Sequence, residues 1–191
     1  MANDRPRCPW VGNNELMRRY HDEEWGTPVR DDDRLFEMLT LEGAQAGLSW
    51  ETVLKKREGY RRGFRGFQIE AVAQMTDADV EALLLDPGVI RHRGKLASVP
   101  NNARAALAVQ AEFGSLDAFL WSFVGGQSIV RDLRSLDDYP TKSAESDAMS
   151  KALLKRGFRF VGSTTCYAFM QACGMVDDHT VDCWRRVGSG A

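Results

Sequence analysis

The sequence contains no long apolar run. Nothing in it approaches the roughly 18 residues that a membrane-spanning helix needs, and "MANDRPRCPW" at the start has no apolar signal region. The expectation is a cytoplasmic protein with no membrane partner. Alternating runs of β-branched residues are almost absent, which removes a sandwich or barrel. There is no internal repeat and no low-complexity tract. Excess charge is lacking too: 25 Lys and Arg face 27 Asp and Glu, a net charge of −2. That argues against a uniformly basic nucleic-acid binder. Cysteine is sparse, with four in 191 residues, and a disulfide framework does not suit a cytosolic chain of this size.

What is present is helical grammar. A hydrophobic content of 43% supports a real core, in one unit over residues 1–191 built as two packed helical lobes. In "DDDRLFEMLTLEGAQAGLSWETVLKKREGYRRGF" apolar residues recur at three- and four-residue spacing, behind the cap-forming Asp31 to Asp33. "TDADVEALLLD" opens with Thr76 and Asp79 in capping-box positions. "NNARAALAVQAEFG", "SLDAFLWSFV", "SAESDAMSKALLKRG" and "TTCYAFMQACG" continue the pattern, with Gly114, Gly157 and Gly174 as stops. The fold class is all-α with irregular ends.

Charge is nevertheless sided. "LKKREGYRRGFRGF", "IRHRGK" and "KALLKRGFRF" gather positive residues, while acids collect around 22–33, 70–86 and 132–147. One basic face suits DNA or RNA, and solvated helix ends explain the same pattern. Between helices predicted at 146–156 and 164–173 lies "FRFVGST". Gly162 there permits close approach to a partner, and free N–H groups at the next helix start, from Ser163 and Thr164, suit a phosphate. A plain tight turn between helices is the alternative. "DPGVIRHRGK" is a second candidate for touching a backbone.

Cys166 and Cys173 sit in an apolar helical stretch and read as buried small hydrophobes. Cys8 with His21, and His179 with Cys183, differ. The second pair has i, i+4 spacing, which one helical turn would bring to one face. Two sulfurs and two imidazoles are the ligand set of a closed structural zinc site, one that would clip the two chain ends together. The spacing matches no common zinc finger, so a capping histidine and a free thiol remain open on spacing alone.

The segment "LEGAQAGLSW", residues 41–50, carries two glycines that each cost about 1 kcal/mol in a helix interior. It also holds a lone acid, Glu42, among small and apolar neighbours. As one helix it would put Glu42, Ala46 and Trp50 on one broad face. With Trp10, Tyr20 and Trp25 these make an aromatic cage with one acid, suited to a flat cationic ligand. Core tryptophans with a salt-bridged or exposed Glu42 are the competing reading. Gly47 followed by Leu48 has the properties of a wedge that fills the space of an extruded base.

The blocks "RCPWV", "YHDEEWGTPVRDD", "LFEMLTLEGAQAGLSWETVLKKRE", "VIRHRGK", "WSFV", "SDAMSKALLKRGFRFVGSTTCYAFMQACGMVDDH" and "DDHTVDC" follow one another in order over nearly the whole chain. In them the sequence resembles the 3-methyladenine DNA glycosylase I family, the constitutive alkylation-repair glycosylases of bacteria. That resemblance implies a helix-hairpin-helix glycosylase fold, with the element at 146–173 and "GFRFVGST" binding the DNA backbone. It implies one structural zinc on Cys8, His21, His179 and Cys183, tying the termini together. It implies a base pocket of Trp10, Tyr20, Trp25, Glu42 and Trp50, with Glu42 catalytic. Gly47 and Leu48 would enter the gap left by the flipped nucleotide, and Gly162, Ser163 and Thr164 would contact DNA. The substrate would be 3-methyladenine in double-stranded DNA, excised by a monomer to leave an abasic site. Neither Asp177 nor Asp178 is expected to activate water. The short extension before Cys8 is expected to be disordered. A zinc-clipped module that binds damaged DNA or a cationic aromatic without catalysis is the alternative.

Overall fold

A computed structural model describes residues 5–186. It contains α1 (Glu15–Glu23), α2 (Asp32–Gln45), α3 (Trp50–Gly63), α4 (Ile69–Ala73), α5 (Asp77–Leu83), α6 (Arg93–Phe113), α7 (Leu116–Ser122), α8 (Ala144–Lys155) and α9 (Ser163–Ala172). Two-residue strands, β1 (Ile129–Val130) and β2 (Val176–Asp177), pair in parallel and, with a single parallel bridge between Leu133 and Thr180, depart from the all-α expectation. No helix among them is long and apolar enough to cross a membrane.

Local chemistry sets most helix starts. The Asp31 side chain accepts from Arg34 N, and Thr76 and Asp79 close a reciprocal capping box. Ser115 and Ser143 cap α7 and α8 in the same way. Gly114, at φ +88°, ends α6. α2 is the central element: it packs against α3, α6, α7 and α9, and residues 35–44 of it are all buried.

Three sequence expectations need correction. Residues 41–50 are not one helix. α2 ends at Gln45, and Ala46 (φ −45°, ψ 114°) and Gly47 (φ +78°) make a type II turn closed by Leu48 N donating to Gln45 O at 2.6 Å. That turn demands positive φ at its third residue, which is why position 47 is glycine. Ser49 then caps α3, so Trp50 stands on a second helix. Next, α6 begins at Arg93, eight positions before "NNARAALAVQAEFG", and runs through Pro100. A proline inside a helix forfeits one backbone hydrogen bond; the buried stripe of Leu96, Val99, Ala103, Ala106 and Val109 outweighs that loss. Finally, the extension before Cys8 is held: Arg7 forks onto Asp22 and Pro6 O accepts from Trp184 N. Residues 1–4 of it lie outside the described residues.

Gly43 is the other puzzling glycine. A Cβ there would lie 3.0 Å from Phe160 O and 3.2 Å from Phe160 Cβ. The turn between α8 and α9 therefore rests directly on α2, one residue beyond Glu42.

Candidate active site and metal centre

A cavity of about 360 Å³ opens between the N-terminal region, α2, the start of α3, the 136–141 loop and α9. Its walls include all five residues predicted for the base pocket: Trp10, Tyr20, Trp25, Glu42 and Trp50. Trp10 lies edge-on to Trp25 with centroids 4.9 Å apart, and Tyr20 is tilted against Trp50 at 5.4 Å. The indole N–H groups of Trp10 and Trp50 are buried without a protein acceptor. Glu42 reaches the cavity from the last turn of α2 and is only 6% exposed. No cation pairs with it among the described residues. Burial alone lifts its carboxyl from the usual carboxylate range to about 8. Tyr20, also buried, is raised by desolvation first and by the Glu42 charge next. The slot thus holds one carboxyl group whose ionisation is unfavourable until something cationic arrives.

Beside this cavity, and sharing Glu42 and Gln45 with it, a groove runs between the 45–48 turn and the start of α9. Gly47 and Leu48 line one side and Thr164 the other; Leu48 is 41% exposed. The turn carrying Gly157, Phe158, Arg159, Phe160, Val161 and Gly162 joins α8 to α9, which pack against each other. Gly162 precedes α9 without a side-chain cap, and Ser163 and Thr164 form its first turn. Gly162 has φ −61° and open space where a Cβ would stand. Its value is therefore bareness at an exposed helix start, not a backbone angle only glycine adopts.

Cys8, His21, His179 and Cys183 converge, all buried, with one donor atom from each within 4.8 Å of the others. Cys183 Sγ lies 3.3 Å from His21 Nε2 and 3.5 Å from His179 Nδ1, and Cys8 Sγ lies 3.5 Å from His179 Nδ1. The i, i+4 pair is not on a helix as its spacing suggested. Residues 180–183 form a tight turn closed by Cys183 N on Thr180 O, with the same effect of facing both donors inward. His21 Nδ1 donates to Asp22 Oδ1 at 2.8 Å, which leaves Nε2 with its lone pair toward the cluster. The hydrogen bond from Cys183, with others from His179 and His21, draws the Cys8 thiol down, and its contact with Cys8 pushes Cys183 up. Two soft sulfurs and two imidazoles, His21 being oriented by Asp22, fit a metal ion.

A family model described as methyladenine glycosylase matches residues 10–186. The chain belongs to the methyladenine glycosylase family. It is 54% identical over 177 residues to DNA-3-methyladenine glycosylase 1 of Escherichia coli (strain K12), covering 93% of this chain and 95% of that protein. A crystal structure of 3-methyladenine DNA glycosylase I is similar at TM-score 0.92 and 53% identity, over 95% of this chain and 100% of the other. The Staphylococcus aureus 3-methyladenine DNA glycosylase I, solved for its recognition of 3-methyladenine, matches at TM-score 0.90 and 38% identity over 93% and 94% of the two chains.

Several residues of this glycosylase's site escaped the sequence reading. Tyr139, Pro140 and Gln171 line the cavity, and Asp22 backs the cluster. Tyr139 and Pro140 come from a polar connection with no periodicity to flag it. The adjacency of His21 and Asp22 was the one available signal for a carboxylate behind a ligand. Asp178 is fully buried, with Tyr167 Oη donating at 2.6 Å and Gln171 Nε2 at 2.8 Å to its Oδ2, and Asp177 accepts from His179 N.

The raised Glu42 pKa makes a stability prediction. A carboxyl whose folded pKa exceeds its unfolded one stabilises the fold below about 4.5, and that contribution is lost as pH rises toward about 8. The ligand-free chain should lose on the order of 4 kcal/mol from this group across that window. Glu42→Gln should flatten the slope, so that the variant melts above the parent at pH 8.5 and near it at pH 5. Identical pH profiles in thermal melts would contradict the burial of an unpaired acid.

Proposed function

We propose that this glycosylase removes 3-methyladenine from alkylated double-stranded DNA, with Glu42 as its catalytic carboxylate and a structural zinc on Cys8, His21, His179 and Cys183. The observation that carries the reading is a buried carboxyl with no cationic partner in a slot walled by three tryptophans and two tyrosines. Methylation at N3 makes the adenine cationic. Such a base enters the slot with its rings against indole and its charge against Glu42, which then ionises. Neutral adenine lacks that interaction and is disfavoured.

Cleavage breaks the bond between C1′ and the base nitrogen. The electron pair goes to the base, which leaves neutral, and the positive charge passes to the sugar as an oxocarbenium. Water adds to C1′ and loses its proton, leaving an abasic site. No acid need protonate the leaving base, because the methyl group has already made it a good leaving group. Glu42 stands near both locations of the charge. No lysine occurs in residues 161–174, so the strand is not expected to be cut. Leu48 at the tip of the 45–48 turn fills the space of the extruded nucleotide, while Gly162, Ser163 and Thr164 present bare N–H groups to a phosphate. Zinc supplies no step in this scheme; it holds the two chain ends together beside the pocket.

The test is incubation with methylated duplex DNA, followed by chromatography of released base and heat or alkali treatment of the strand. Free 3-methyladenine with strand breaks appearing only after treatment is the expected result. DNA binding without base release would leave the non-catalytic module instead. Leu48→Ala should lower excision from duplex by about tenfold, as loss of an apolar contact worth about 1.4 kcal/mol would.

A further inference from the structure

Lys95 is a buried cation that the scheme above does not use. It is 9% exposed and stands in the first turn of α6. Its Nζ donates to Ala44 O at 2.9 Å and to Ala46 O at 2.6 Å. Ala44 carries one of the carbonyls left without a helical partner at the C-terminus of α2. Ala46 O belongs to the central peptide of the 45–48 turn. The direction of that peptide is what distinguishes a type II turn from type I, and in a planar trans peptide it also fixes the Gly47 N–H on the opposite side. An ammonium on this carbonyl therefore holds the turn in one of its two forms. Burial lowers the Lys95 pKa, the expected cost of placing a cation where its main partners are two carbonyls.

Seven residues along α6, on the same face, Asn102 makes a two-way clamp on the hairpin: its Nδ2 donates to Arg159 O at 2.9 Å, and its Oδ1 accepts from Arg159 N at 2.8 Å. Asn101 adds Nδ2 to Gly157 O at 2.8 Å. One rigid helix thus grips both the turn that carries Leu48 and the hairpin that precedes Ser163.

We propose that Lys95 is a positioning residue for nucleotide extrusion: it locks the Ala46–Gly47 peptide, and α6 thereby holds the Leu48 wedge at a fixed distance from the DNA-gripping hairpin. The inference rests on the excision reading given above. If the unaltered chain releases no base, that reading fails first, so the comparison below begins from an active parent.

The test compares Lys95→Met with the parent on two duplexes, one with 3-methyladenine paired to thymine and one with the lesion opposite an abasic site, where less of the extrusion cost remains. Affinity for free 3-methyladenine, read by tryptophan fluorescence, is measured alongside. Excision from the paired duplex should fall about tenfold or more, the size expected for a lost charge-assisted hydrogen bond. The deficit should shrink severalfold on the unpaired lesion, and free-base affinity should stay within about twofold, since the pocket walls are untouched. In a Leu48→Ala background Lys95→Met should cost much less than alone, because both act through one wedge. Equal deficits on the two duplexes, a proportional loss of free-base affinity, or full additivity with Leu48→Ala would each overturn the proposal. If Lys95→Met does not fold, Lys95→Gln, a neutral and shorter side chain that cannot supply the ammonium to both carbonyls, undergoes the same comparison against the same outcomes.

Discussion

Glu42→Gln should lower excision of 3-methyladenine by about 10²-fold or more while the protein stays folded, the scale seen when one preorganised electrostatic group is removed from a developing charge. The substitution keeps the shape of the side chain and removes its ability to ionise. The carboxyl has no cationic partner within the described residues, so glutamine leaves no orphaned positive group behind. The loss should be concentrated in the chemical step and in recognition of the cation, not in grip on undamaged DNA. The parent should show a matching pH dependence. Its free-enzyme activity should climb as pH rises toward about 8, where Glu42 becomes carboxylate without help, and then level off. The variant should be nearly flat over the same range. Values of kcat/KM for excision at pH 6, 7 and 8.5 for both proteins decide the matter. A Glu42→Gln enzyme with full activity would remove the physical source of selectivity for a charged base.

Loss of the metal should have the largest effect on stability. Four donors within 4.8 Å draw together residues 8, 21, 179 and 183, which come from both ends of the chain. The purified protein should carry about one zinc per chain, since four protein ligands make one closed site. Cys183→Ser, or treatment with a strong chelator, should remove it and lower the melting temperature on the order of 10–20 °C, taking several kcal/mol from the site at the usual conversion for a chain of this length. The pocket should feel the loss too, because Trp25 packs edge-on against His179 with centroids 4.7 Å apart and Trp10 against His21 at 5.4 Å. Tryptophan emission should therefore shift on demetallation before global unfolding. Unchanged metal content and melting temperature in Cys183→Ser would refute the zinc assignment.

Helix existence was legible in the sequence wherever caps and apolar spacing agreed. Thr76 with Asp79, and Gly114 at the end of α6, are local arrangements that depend on a few neighbouring residues. The pocket residues could be named because they lie in blocks shared with a family, and the structure brings all five around one cavity. Local grammar failed where tertiary packing prevailed. The helix across Pro100 is one case, since a buried stripe offset a broken hydrogen bond that sequence rules treat as a stop. The 41–50 segment is the other. Its periodicity continues through Gln45, and only the turn at Ala46 and Gly47 moves Trp50 to a second helix while leaving it facing Glu42.

By itself the sequence determined an all-helical chain, the identity of the acid and its aromatic neighbours, and the four residues able to hold a metal, because those follow from residue type, spacing and family resemblance. Only the tertiary structure decided that Glu42 is buried without a partner, that Gly43 makes room for the hairpin, and that Lys95 reaches back 49 residues to the carbonyl of Ala46. Those are distances between segments far apart in the chain, and no local preference encodes them; they are fixed when helices close on a shared core.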